Sequence, residues 1–248
     1  MRVFAAIPAL ITTVVLAASP ASGQAIADEH SRRQAIELYR TGQEFMSGER
    51  FDKAAEVFTS AIAKDPLLTV AHYQLGQAYM ALKRPASAVQ AYRGCLQAME
   101  ALHHLQESNK VEVDRQRQDT IREIRAELRE SSTTKIDPLK RLVLEQRVTE
   151  LEQERVDYQG PFRPPAFVLL ALGSAYFRNG NLEEAEQQWK AAVEANRKYG
   201  EAHNNLAALY AMRGRKKEAE VAVREAEKAG YRVHPQLKED IRKLAAAP

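Results

Sequence analysis

Gly42 and Gly76 lie 34 residues apart, and the same interval separates Tyr39 from Tyr73, Gln43 from Gln77, Met46 from Met80 and Ala54 from Ala88. It returns downstream between Gly173 and Ala207, Leu172 and Leu206, Tyr176 and Tyr210, and Ala185 and Ala219. A fixed interval of this size means that a helix-turn-helix unit is stacked on copies of itself, because one helix pair cannot bury its apolar face alone. Gly or Ala at 42, 76, 173 and 207 lets the two helices of a unit approach closely, and large residues three or four positions away fill the space that remains. Ser47-Gly48-Glu49-Arg50, Arg178-Asn179-Gly180-Asn181 and Met212-Arg213-Gly214-Arg215 read as the turns between helices, with Gly at the position other residues resist. No run alternates with the two-residue period of a strand, so the expected fold class is all-α.

The residues that carry the interval resemble the tetratricopeptide repeat, whose pattern is a large residue, Leu-Gly, an aromatic, and later Ala-x3-aromatic, a small residue and Pro. Unit one reads Leu38, Thr41-Gly42, Phe45, Ala54, Phe58, Ala61 and Pro66. Unit two gives His72, Leu75-Gly76, Tyr79, Ala88, Tyr92 and Cys95, and unit three gives Leu169, Leu172-Gly173, Tyr176, Ala185, Trp189 and Ala192. Unit four gives His203, Leu206-Ala207, Tyr210, Ala219, Val223 and Ala226. Glu100, Arg197 and Tyr231 replace the terminal Pro of the later units, leaving room for longer second helices. The resemblance covers roughly half of the 248 residues and implies an α-solenoid whose first helices line a concave, protein-binding surface.

Gly76 and Gly173 are 97 residues apart, one interval of 34 plus an insertion of 63. Leu96, Met99, Leu102 and Leu105 continue the second helix of unit two, and Val113, Ile121, Ile124 and Leu128 carry an intermittent apolar stripe to a helix of about forty residues. Ser131-Ser132-Thr133-Thr134 and Asp137-Pro138 break it. Leu139, Leu142, Val143, Val148, Leu151 and Val156 form a returning stripe, and Gly160-Pro161 and Pro164-Pro165 close the insertion. The expected architecture is an α-solenoid interrupted by a long antiparallel, coiled-coil-like hairpin. Its parts are a signal segment at 1–23, two units within 24–102, the hairpin at 103–165, two units at 166–233 and a capping helix at 234–248, with Pro235 at its start. Residues Glu107 to Arg129 hold six acidic and six basic side chains but only five of Val, Ile or Leu, so two readings of the hairpin stand: a spacer satisfied by its own arms, or a second contact surface.

Arg2 precedes sixteen mostly apolar residues, Val3 to Ala18, and Ser19-Pro20-Ala21-Ser22-Gly23 ends in small residues suited to export cleavage. This predicts a cleaved signal peptide and a periplasmic or secreted bacterial protein; the alternative is an inner-membrane anchor over residues 3–18, which is short for a span of about 20 residues. No Cys follows the cleavage site, against a lipoprotein.

Beyond residue 23 the chain carries 35 basic and 33 acidic residues, near neutrality and unlike a protein that coats nucleic acid. Arg213, Arg215, Lys216 and Lys217 crowd one turn, either solvated or in contact with an anionic lipid, polysaccharide or acidic partner. Cys95 is the only cysteine and occupies a small-residue slot, which makes it a buried hydrophobe rather than a reactive thiol. His72 and His203 share a packing slot with Leu38 and Leu169, and His103 and His104 diverge by about a hundred degrees on a helix and cannot chelate one ion. No phosphate-cradling Gly-rich loop or nucleophile motif is present, so neither catalysis, a metal nor a cofactor is expected.

Positions one turn from the packing slots point into the expected groove. These are Ile36, Tyr39, Gln43 and Met46 in unit one, and Val70, Tyr73, Gln77 and Met80 in unit two. Unit three adds Phe167, Leu170, Ser174 and Phe177, and unit four Glu201, Asn204 and Ala208. Tyr, Gln and Met offer a flat amphipathic face, an amide and an adaptable apolar patch, which suits a peptide or helix; the same tyrosines could instead pack between units. Repeats that clamp a C-terminal carboxylate of chaperones present Lys and Asn where this chain has Tyr39, Gln43, Tyr73 and Gln77. The expected function is a non-catalytic scaffold of the bacterial envelope that grips a protein partner in this groove. The alternative is a membrane-tethered spacer that homo-oligomerises through the hairpin.

Overall fold

The computed structural model describes residues 26–130, 138–153 and 160–244. Met1–Gly23, the break at Ser131–Thr134 and Asp137, the side chains of Leu139 and Val143, and Val156 lie outside the described residues. Unit one is α1 (Glu29–Ser47) and α2 (Phe51–Lys64); unit two is α3 (Thr69–Ala81) and the start of α4 (Pro85–Glu130). After α5 (Pro138–Gln153), unit three is α6 (Ala166–Arg178) with α7 (Leu182–Ala195), and unit four is α8 (Gly200–Met212) with α9 (Lys216–Lys228). α10 (Pro235–Lys243) follows. Asp28 starts the solenoid by accepting from the Ser31 and His30 amides at 2.9 Å, satisfying donors a first turn leaves open.

Each of the first three pairs is held by a missing side chain. A Cβ on Gly42 would lie 2.4 Å from the Phe58 ring, one on Gly76 2.5 Å from Tyr92, and one on Gly173 2.6 Å from Trp189. The aromatic of the second helix therefore seats on bare backbone of the first, and Phe58, Tyr92 and Trp189 are all buried. The Trp189 indole N–H donates to the Leu170 carbonyl at 3.2 Å, tying this ring to the opposite helix by a polar contact as well.

The interhelical turns share one left-handed residue per unit, but unit one departs from the expectation. Gly180 and Gly214 adopt φ of 83° and 69°, whereas Gly48 has φ −89° and the left-handed position falls on Glu49, with Lys83 equivalent to it in unit two. The turn geometry is set by register, and glycine fills it in only two of four units.

Units two and three stack directly although 63 residues separate them in the chain beyond one interval. Ala88, Val89 and Tyr92 of α4 bury against Leu172 and Ala175 of α6, so the insertion is extruded while the solenoid continues. His103 closes its root, its ring N–H donating to the Gly160 carbonyl at 2.8 Å and its ring packing 5.8 Å from Phe162. From there α4, a helix of 46 residues in all, is supported along its surface by i,i+3 pairs such as Lys110–Glu107 and Arg115–Glu112. α5 returns against it through Ile121, Ile124, Val148 and Leu151, with an Arg125–Glu152 ion pair across the arms. Val113 and Leu142, expected in this seam, stay outside it at 57% and 60% exposure.

The basic turn between α8 and α9 is neither simply solvated nor free. Glu186, only 8% exposed, receives Lys190 at 2.7 Å, Arg215 at 2.8 Å and Arg213 at 3.2 Å. Burial pushes the Glu186 carboxyl up, and the bonds from Lys190 and Arg215 outweigh it, so its pKa falls below the ordinary value. Lys216 caps α10 by donating to the Arg242 and Leu244 carbonyls at 2.8 and 2.7 Å. Cys95 is buried and donates to the Thr69 carbonyl, and burial pushes its thiol up to about 11, which keeps it protonated and inert. His72 and His203 donate to the Pro66 and Arg197 carbonyls, each six residues back, and so brace the loop entering their units.

Gly76→Leu is expected to cost about 1–3 kcal/mol or more by displacing Tyr92, read as a fall in melting temperature of about 2–4 °C per kcal/mol. Gly48→Ala, where a Cβ meets only ordinary contacts, serves as the control that should leave melting nearly unchanged. Equal melting of both variants would show that the ring is not seated on the glycine.

Candidate protein-binding groove

Tyr73 stands where the first helices of units two and three meet. Its ring lies 5.6 Å from Tyr92 and 5.2 Å, edge-on, from Phe167, so it bridges unit two to unit three. The groove around it is lined by Gln77, Met80 and Ala81 from α3, Leu170, Ala171, Ser174 and Arg178 from α6, and Tyr199 and Glu201 at the start of α8. Met46 reaches its edge from α1. Residues of four first helices, from both sides of the insertion in sequence, thus meet in one depression.

The candidate residues divide accordingly. Met46, Tyr73, Gln77, Met80, Leu170 and Ser174 come together with Phe167 and Glu201. Leu170 forms buried floor, and the Ser174 hydroxyl donates to the Leu170 carbonyl at 2.9 Å. Tyr39 packs 5.9 Å from Phe58 and its hydroxyl accepts from the Gln43 amide at 2.8 Å, so this pair is satisfied within unit one. Ile36 lies in a separate shallow surface with His30, Arg33 and Lys64. Phe177 turns to the core, 5.6 Å from Trp189, and Val70, Asn204 and Ala208 do not line the groove. The depression is centred on units two to four, whereas the repeated Tyr-Gln-Met set pointed to units one and two.

Tyr92, Arg178 and Tyr199 complete the lining without having been singled out for it. Tyr92 belongs to a second helix and lies buried beneath the groove, its ring seated against Gly76. The pairing of Gly76 with an aromatic sixteen residues on was the available signal. Arg178 and Tyr199 sit at helix ends, where a periodic pattern stops. Burial raises the phenol pKa of Tyr73, Tyr92 and Tyr199, with Glu201 adding to the effect at Tyr73 and Tyr199, so all three remain neutral hydrogen-bonding groups at ordinary pH. Among the described residues no group of three or more His, Cys, Asp or Glu is placed to hold a metal ion. A surface of neutral phenols, an amide, a hydroxyl and a thioether can bind, orient and desolvate a peptide.

The sequence model of the tetratricopeptide repeat matches residues 39–98 and 170–231. Among solved structures, PilW, a widely conserved type IV pilus biogenesis factor, is 16% identical over 88% of this chain and 87% of its own, with a TM-score of 0.39. TTC0263, a thermophilic protein of the same repeat class from Thermus thermophilus, is 19% identical over 85% and 98%, with a TM-score of 0.34. YrrB, a repeat protein with an unusual peptide-binding site, is 18% identical over 87% and 95%, with a TM-score of 0.30. No curated protein matches the chain by sequence. The two matched segments fall on units one and two and on units three and four, on either side of the insertion, and the chain belongs to the tetratricopeptide-repeat family.

Proposed function

We propose that this protein is an exported, non-catalytic scaffold of the bacterial envelope that holds an extended segment of a partner in the groove around Tyr73. Membership of its family makes it a protein-interaction scaffold; the groove, the export and the envelope are our reading. The observation that carries the groove is the meeting of Tyr73, Phe167 and Tyr199, from three different units, beside the Gln77 amide and the Ser174 hydroxyl. Rigid aromatics supply contact area at low entropic cost, and the polar groups pair with a peptide backbone. Export rests on the apolar segment Val3 to Ala18 and the small residues after it. Among the described residues no helix is long and apolar enough to cross a membrane.

A second reading, oligomerisation through the hairpin, is favoured by Leu142, Val113 and Val111, which stand 60%, 57% and 54% exposed on arms whose own seam is made by other residues.

Phe167→Ala removes an aromatic anchor that the fold does not bury, and should weaken capture of a native envelope partner roughly tenfold while melting is retained. Intact capture with intact folding would remove the groove from consideration. The N-terminus of protein isolated from its source should lie near Gln24, and finding Met1 in place would favour the membrane anchor. For the hairpin, light scattering over a concentration series should return a monomer. A dimer that Leu142→Glu abolishes would establish the second reading instead.

A further inference from the structure

Two charged side chains line the groove among the described residues, Arg178 and Glu201. Arg178 and Glu201 make neither an ion pair nor a side-chain hydrogen bond with a described residue. Both are exposed at the edge of an aromatic floor. They mark opposite ends of it. Glu201 holds in unit four the position that Phe167 holds in unit three, 34 residues earlier, at the N-terminal end of the first helix. Arg178 closes α6 at the C-terminal end, eleven positions beyond Phe167. At about 1.5 Å per helical residue the two charges are about 16 Å apart along the helix direction. Tyr73 and Tyr199 lie toward the Glu201 end, and Tyr92 toward Arg178, as the influence of each charge on these phenols reflects.

We infer that the groove is polar in direction and takes an extended partner segment with a basic residue over Glu201, an acidic residue over Arg178 about five residues away, and apolar side chains between them. The spacing follows from about 3.3 Å per residue of extended chain. A helical segment would instead need its charges about eleven residues apart. The aromatic walls lower the local dielectric, which strengthens a matched charge and penalises a like one, and the planar guanidinium suits a carboxylate. A segment laid in reverse meets like charges at both ends and is rejected. This inference rests on the groove reading above.

The test is selection from a random twelve-residue peptide display library on the purified full chain, in parallel with Arg178→Glu/Glu201→Arg, which should stay folded with only slightly lower melting, because both positions are exposed but each swap sets a charge against a helix end. Peptides enriched on the parent should carry opposite charges five or six residues apart in one order, and those enriched on the charge-swapped variant the same spacing in the opposite order. Each peptide should bind the mismatched protein at least tenfold more weakly by fluorescence anisotropy. Peptides that require Phe167 but show no paired charges, show an eleven-residue spacing, or bind parent and swapped variant equally would overturn the inference and leave the groove reading standing. Enrichment of no peptide that Phe167→Ala weakens would overturn both.

Discussion

The solenoid depends on the contact between a bare backbone and a ring. Gly42, Gly76 and Gly173 place the first helix of each unit so near Phe58, Tyr92 and Trp189 that a single methyl group would enter the van der Waals shell of the ring. Interiors are packed at crystal density, so such a contact has little slack, and it fixes both the separation and the rotation of the two helices. Unit four solves the same problem with Ala207 in the glycine's slot and the smaller Val223 in the ring's, both buried. The sum of the two side-chain volumes is kept within bounds even where the residues differ.

The same contact explains the groove. Gly76 seats the buried Tyr92 ring against α3, and Tyr73 leans on that ring while also meeting Phe167 of the next unit. The inter-unit packing cluster and the lining of the depression therefore share side chains. Tyr73 packs between units two and three and at the same time lines the depression. Phe167, with 44% of its surface exposed, is the most open of the three rings.

The insertion follows a different rule. It leaves the solenoid after Ala98 and returns at Gly160–Pro165 without displacing unit three from unit two, because the α4 residues that α6 needs, Ala88, Val89 and Tyr92, all precede the departure. Between Ala98 and Ile121 no residue of α4 is buried, and its helicity there is supported by local ion pairs rather than by a core. The hairpin has a core of its own where α5 meets Ile121 and Ile124, and presents Val113 and Leu142 outward. At the other end of the solenoid the cations Arg213, Arg215 and Lys216 are used internally, on Glu186 and on the last carbonyls of α10, so a local excess of positive charge in the chain does not become a free basic patch.

By itself the sequence determined the repeat, its register, the all-helical class and the extruded hairpin, because these follow from spacings along one chain: small residues 34 apart, apolar stripes at helical period, and breakers between them. Periodicity also places Tyr73, Gln77, Met80 and Ser174 on the inner face. It could not rank them. Tyr39 and Tyr73 occupy the same slot and each leans on a ring of its own unit, Phe58 and Tyr92, yet Tyr73 also meets Phe167 across a gap of 94 residues. Only the tertiary structure decided that difference, since it depends on which unit stacks next. The same holds for Glu49 and Lys83 in place of a glycine at the turns, and for Arg178 and Glu201 as the two charges facing the groove. A side chain's partners at helix ends and across a looped-out insertion are set by distances in space, and no period in the chain encodes them.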